Sequence, residues 1–319
     1  SHLAIHYGGA EANVSVGISQ LGIDSSFFTV LPSNDLSATA ISKLKAMDVD
    51  TSSISFQDGR MGIYFLEPGK GIRPSKVVYD RAYSSLSLAD SKSIDWDQIF
   101  EGIDWFHWSG ITPAISASAA ELCAQVLAVA EQKGITISVD LNYRSKLWNY
   151  GKTPKDIMPS LMEKCDVIFG GIDAPETYCD IVPEGKKTVK GAKLTDEDIV
   201  SIGEQVLTRF PKAKLFSSTM RETVTSTHNR LQGILYSKKG LVKSPEFDIT
   251  EIVDRVGGGD GFMAGLIVGL IKYKEDYQYI TNYATASSVW KHTVHGDYNY
   301  ITEEELNQII DGGTAVISR

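Results

Sequence analysis

The chain has 319 residues, of which 42% are hydrophobic and 22% charged, with 31 Lys and Arg against 40 Asp and Glu. That is ordinary globular composition; it excludes disorder as the global state and leaves room for one large α/β domain or two modest ones. A formal net charge of -9 repels nucleic acid and anionic membranes, so neither is an expected partner, and an acidic substrate would need a local basic pocket.

Taken in chain order, residues 3–7 read as a short strand. Residues 10–21 have helical spacing, with Val14, Ile18 and Leu21 on one side and Gly22 as the stop. Residues 26–31 read as a strand and 36–47 as a helix. Residues 52–81 break this rhythm: β-type runs at 62–66 and 76–79 flank Glu67-Pro68-Gly69-Lys70-Gly71, which predicts hairpin material inserted in an α/β chain. The rhythm resumes with a strand at 105–108, a helix at 116–133 and strands at 135–141 and 166–170. A helix at 197–210, strands at 214–218 and 233–236, and helices at 262–273 and 279–292 follow. Strands alternating with helices predict a mostly parallel sheet covered on both faces, with ligands at the carboxyl ends of the strands. No interdomain linker or internal repeat interrupts residues 1–319, which predicts one domain with a β insertion at about 52–81.

Three cysteines, Cys123, Cys165 and Cys179, lack paired spacing. They read as reduced thiols in a cytoplasmic protein, not as a disulfide scaffold. The apolar run at 262–271 contains Gly265 and Gly269 and is too short to span a bilayer.

The chemistry concentrates in Asp254-Arg255-Val256-Gly257-Gly258-Gly259-Asp260. Glycines before a helix free backbone N–H groups to converge on one spot, where the helix dipole adds positive character. Such an anion hole suits a phosphoryl group in transfer. Asp260, at the helix start, can take a proton from an attacking hydroxyl. The bland alternative is a glycine-rich turn with Asp260 as a simple N-cap.

This segment resembles the carboxyl-terminal signature of the PfkB, or ribokinase-like, carbohydrate kinases, Asp-Thr-x-Gly-Ala-Gly-Asp, with Arg255 in place of Thr and Gly258 in place of Ala. Gly8-Gly9-Ala10-Glu11-Ala12-Asn13, followed by an apolar helix, resembles the family's amino-terminal signature. The resemblance covers essentially the whole chain and implies an α/β, ribokinase-like three-layer fold with a mostly parallel central sheet and a small β lid. The family's first strand lies upstream of the glycine-rich stretch, so natural sequence is expected before Ser1, with Ser1-His2 a tag remnant. Within the family, Gly62-Ile63-Tyr64-Phe65-Leu66-Glu67, Val78-Tyr79-Asp80-Arg81-Ala82, Asp140-Leu141-Asn142-Tyr143-Arg144 and Gly296-Asp297-Tyr298-Asn299 look most like the kinases of 2-keto-3-deoxygluconate.

The resemblance implies ATP and Mg2+, a small acidic sugar as substrate, and a homo-oligomer formed through the lid. It implies Asp260 as general base and Gly257, Gly258 and Gly259 as the anion hole. It places Gly9, Asn13, Tyr64, Tyr79, Arg81, Arg144 and Asp297 around the sugar. Asn142, Ser218 and the Gly257 to Gly259 loop would lie toward ATP. Guanidinium binds carboxylate by a planar fork, which fits Arg81 and Arg144, although Arg81 could instead pair with Asp80. Tyr64 and Tyr79 offer flat apolar faces, or else lid packing. Family members often carry Asn-x-x-Glu for magnesium and phosphate; here the region reads Gly170-Gly171-Ile172-Asp173-Ala174-Pro175-Glu176, so Asp173 or Glu176 would have to substitute. His292-Thr293-Val294-His295 has metal-like spacing without acidic or thiolate partners in sequence, and no metal site is expected there. A kinase of a neutral ketose such as fructose, and a non-catalytic sugar-binding protein on the same fold, remain as rivals.

Overall fold

Four apolar runs become neighbouring parallel strands: Trp105–Ser109, Thr136–Asp140, Val167–Phe169 and the start of Leu215–Thr225. They form the centre of the computed structural model, which describes residues 3–312. Leu215–Thr225 then reverses into antiparallel His228–Ser237, which pairs with Gly240–Lys243 and Phe247–Ile249. A two-residue period sends strand side chains to opposite faces. Ile137, Ile168 and Phe216 enter one core with helices Ala117–Gln132, Pro154–Met162 and Asp196–Arg209. Val167, Phe169 and Leu215 enter the other with helices Ala10–Gln20, Gly258–Tyr273 and Tyr277–Lys291. The expected three layers therefore form, each sheet face buried by amphipathic or largely apolar helices.

The hairpin Ile63–Glu67 and Lys76–Asp80 pairs in antiparallel register, Tyr64 opposite Tyr79. Tyr64, Leu66, Val77 and Tyr79 are half-buried on one face, while Ile63, Phe65 and Val78 face outward. Besides the Tyr64 side chain, which donates to Asp297, it is pinned at two places. The Lys146 ammonium donates to the Val77 carbonyl (3.2 Å), and Ser226 donates from its N–H to Gly71 O (2.8 Å) and from its hydroxyl to Arg73 O (2.6 Å).

Several expectations are corrected. Residues 3–7 are not a strand: they pair with none of the described strands, and Leu3 and Ile5 are exposed. The expected strand at 26–31 is split, because Ser25–Ser26 pairs with Val49–Asp50 while Val30–Leu31 pairs with Ser55–Phe56. Ser55–Phe56 thus belongs to a small parallel sheet and not to the hairpin. Helix Pro154–Met162 was hidden in the sequence by Pro159 in its interior, which removes one helical donor. The helices Ala174–Cys179 and Glu303–Ile310 were likewise not foreseen. Cys123, Cys165 and Cys179 are free thiols. Among the described residues no helix is long and apolar enough to cross a membrane.

Candidate active site

The helix Gly258–Tyr273 begins at Gly257, which takes a left-handed conformation with φ 79°. A Cβ there would lie 2.4 Å from Asp297 O, so both the dihedral and the space require glycine. The first N–H groups of a helix have no acceptor within it and carry the positive end of its dipole. Gly258 is buried, and Gly259 is exposed at the cleft. The turn is clamped from behind: Ser288 Oγ donates to Gly258 O and Ser287 Oγ to Gly261 O, both at 2.8 Å. The Asp254 carboxylate accepts from Val256 N (3.0 Å) and Gly296 N (3.2 Å), fixing how the chain approaches the turn.

Asp260 is 9% exposed. Burial pushes its pKa up to about 8, against the opposing hydrogen bond from Asn13. Asn13 Nδ2 donates to Asp260 Oδ2 at 2.7 Å, and Asn13 Oδ1 accepts from Gly9 N at 3.3 Å, so the amino-terminal glycine stretch orients the group that holds the acid. Asp297 closes a third side. Tyr64 Oη donates to its Oδ1 at 2.8 Å, and a Cβ on Gly8 would strike its carboxylate at 2.3 Å. Burial raises the pKa of Asp297, and raises that of Tyr64 so that the phenol stays protonated.

Two groups beside the turn carried no functional reading in the sequence. Asp140 ends its strand on the face covered by Gly258–Tyr273, and burial lifts its pKa to about 7. Its Oδ1 accepts from Asn142 N (3.0 Å), and Asn142 sits at φ 38°, a left-handed position that asparagine tolerates. An acid at the carboxyl end of a predicted strand was the available signal. Lys291 is fully buried, and its ammonium donates to Val294 O at 3.2 Å. Its Cε lies 3.0 Å from where a Gly257 Cβ would be. Burial lowers its pKa, while Asp254, Asp297 and Asp260 pull the other way. It places positive charge directly beneath the glycine turn.

The Arg81 guanidinium lies over the Tyr79 ring, 5.1 Å from its centroid. Its alternative partner Asp80 is taken by Arg60. Arg144 Nη1 donates to Tyr143 O (2.9 Å). Neither Arg81 nor Arg144 forms an ion pair among the described residues. Burial lowers the pKa of Arg81, and the charge of Arg144 adds to that. A hollow of about 230 Å³ separates the hairpin from the loop after Thr136–Asp140, lined by Val77, Tyr79, Tyr143 and Arg144. Ser218 is not brought to the cleft surface: it is fully buried, and its hydroxyl has no partner among the described residues. Glu11, also missed, is an anchor. Its Oε1 accepts from Ser109 N, Ser109 Oγ and Thr112 Oγ1, tying the first helix to the sheet edge. His292 is buried against Gly258, bonded through Nδ1 to Ser288 O (2.7 Å), and burial lowers its pKa to about 4.

A three-layer α/β sheet with a buried carboxylate beside a helix N-terminus is the arrangement expected of kinases that phosphorylate an alcohol. The pattern of the pfkB family carbohydrate kinases matches residues 1–304, and the chain belongs to that family, with its ribokinase-like fold. It is 31% identical to the 2-dehydro-3-deoxygalactonokinase of Haloferax volcanii over 312 residues, 98% of this chain and 89% of that one. The crystal structure of 2-dehydro-3-deoxygluconokinase from Thermotoga maritima matches with a TM-score of 0.87 at 37% identity, covering 96% of this chain and 90% of that one. A PfkB family carbohydrate kinase from Listeria grayi matches with a TM-score of 0.86 at 32% identity, covering 98% and 92%.

Proposed function

We propose that this chain transfers the γ-phosphoryl group of ATP to the 6-hydroxyl of 2-keto-3-deoxygluconate. The observation that carries the choice of an acidic sugar is the pair Arg81, over the Tyr79 ring, and Arg144, which lines the hollow beside Tyr79, neither of them in an ion pair among the described residues of a protein of net charge -9. A carboxylate satisfies both by charge-assisted hydrogen bonds. Asn13 and Asp297 face the sugar hydroxyls, and Tyr64 and Tyr79 supply the apolar wall. Asp260 removes the proton from the attacking hydroxyl as oxygen bonds to phosphorus and the bond to the leaving ADP oxygen breaks. The amides of Gly257, Gly258 and Gly259 take up charge on the phosphoryl oxygens.

Magnesium, when bound with the nucleotide, neutralises phosphate charge. Glu176 is committed elsewhere, accepting from Thr188 Oγ1 and Val189 N at 2.7 Å each, so it is a poor protein ligand for that ion. Residues 1–319 act as a single kinase domain whose hairpin is the lid, excluding water from the phosphoryl group. Its outward Ile63, Phe65 and Val78 form an apolar face suited to a second copy of the chain.

A second reading is the epimeric sugar acid, 2-keto-3-deoxygalactonate, favoured by the likeness to the Haloferax volcanii kinase across 98% of this chain. Both acids use the same arginines. Coupled ADP release with magnesium-ATP, compared across the two acids and fructose, is the test. Turnover on 2-keto-3-deoxygluconate above its epimer, with little on fructose, is the expected result. Preference for the epimer replaces the substrate but keeps the arginines; preference for fructose removes their role.

A further inference from the structure

Arg255 stands where the family signature has threonine, and the geometry gives it a companion. Its Nη2 donates to Thr223 Oγ1 at 3.2 Å. Thr223 lies on Leu215–Thr225, and the two-residue period of a strand puts Arg221 on the same face. This strand pairs with Val167–Phe169 only over residues 215–217. Arg221 and Thr223 therefore project past the end of the parallel sheet, at its carboxyl edge, where ligands of such sheets sit. Arg255 itself is two residues before Gly257. The charges of both arginines are felt at His292, which packs on Gly258.

Neither arginine makes an ion pair among the described residues, and Arg221 makes no side-chain hydrogen bond there. Arg221 is exposed, and partial desolvation of its guanidinium, then repulsion from Arg255 and from Arg144, lowers its pKa. Arg221 and Arg255, like charges beside the glycine turn with no ion pair among the described residues, raise the free energy of the empty protein, and an anion relieves it. Arg144 is shared: it is felt by Arg81 on one side and Arg221 on the other. Four guanidiniums outside any ion pair among the described residues thus act on one another through Arg144, with Asp140 and Asp260 also drawing on Arg144 and Glu11 on Arg81.

We infer that Arg221 and Arg255 form a clamp for the triphosphate of the nucleotide, supplying positive charge from side chains beside the glycine turn. The inference rests on the kinase reading but not on which sugar is used. Guanidinium forks grip phosphate oxygens in two places at once, so the clamp discriminates by phosphate number as well as by charge.

The test is binding without sugar, by calorimetry, of ATP, inorganic tripolyphosphate and adenosine to the full chain and to Arg221→Gln and Arg255→Gln. Each substitution is expected to weaken ATP and tripolyphosphate about tenfold or more, as for loss of a hydrogen bond to a charged group, and to leave adenosine within twofold. In turnover, KM for ATP rises and KM for the sugar does not. Arg255→Lys, which keeps the charge and loses the fork, falls between. The proposal is overturned if the variants bind tripolyphosphate like the parent while only their melting temperature falls, which would make Arg255 a tie to Thr223 and nothing more. Because no sugar is present, failure to phosphorylate any sugar acid would leave this outcome readable.

Discussion

The glycine turn at 257–260 and the hairpin at 63–80 face one cleft and are built in opposite ways. The turn is locked from behind: Asp297 O excludes any Cβ at Gly257, two serine hydroxyls hold the following carbonyls, and a buried lysine sits beneath. The hairpin has its outer face bare and is attached through Tyr64, Lys146 and Ser226. Charge must be stabilised where it develops, so the phosphoryl end has to be preorganised. In the proposed function a sugar enters and leaves beside the hairpin, so that end is assembled from few, breakable contacts.

The sharpest way to break this comparison is Asp260→Asn. Turnover should fall about a thousandfold, within the range for loss of a general base, while calorimetry finds sugar affinity nearly unchanged. Near-normal turnover would leave the rigid turn as an anion hole without a base. A smaller effect comes from pH. The Asp260 carboxyl, raised to about 8, holds its proton below that value and cannot accept another. The rate constant kcat/KM should therefore climb with pH, about tenfold between pH 7 and pH 9. A flat profile over that span would assign the proton elsewhere. The smallest effect belongs to the hairpin. Tyr64→Phe removes one hydrogen bond to Asp297, so the sugar KM should rise about fivefold, in line with ~1 kcal/mol for a hydrogen bond, with kcat little changed. A loss of kcat instead would show that Tyr64 acts on the phosphoryl end.

The same contrast governs what could be read beforehand. The hairpin strands were legible to within one residue because alternation is local, and the glycine turn because its spacing and its following apolar helix are contiguous. The hydrogen bond of Asn13 to Asp260 joins residues 247 apart in sequence; family resemblance placed both at the site, but no pattern of residues predicted the bond. Lys291 had no signal at all: on a helix it reads as a solvated charge, and only the packing of Tyr277–Lys291 against the turn buries it. Arg255 looked like a blemish in a signature until Thr223, brought alongside by the strand, showed where it points. Residues 3–7 failed as a strand because alternation predicts a shape and not a pairing partner.

Ser226 links the two regions. It holds the hairpin tip, at Gly71 and Arg73, to the turn that follows the strand bearing Arg221 and Thr223. A door fastened at its free edge opens only when the latch lets go. Two hydrogen bonds are thereby expected to set the dwell time of the closed cleft, and the strand proposed to hold the nucleotide is the one to whose end the proposed sugar lid is fastened.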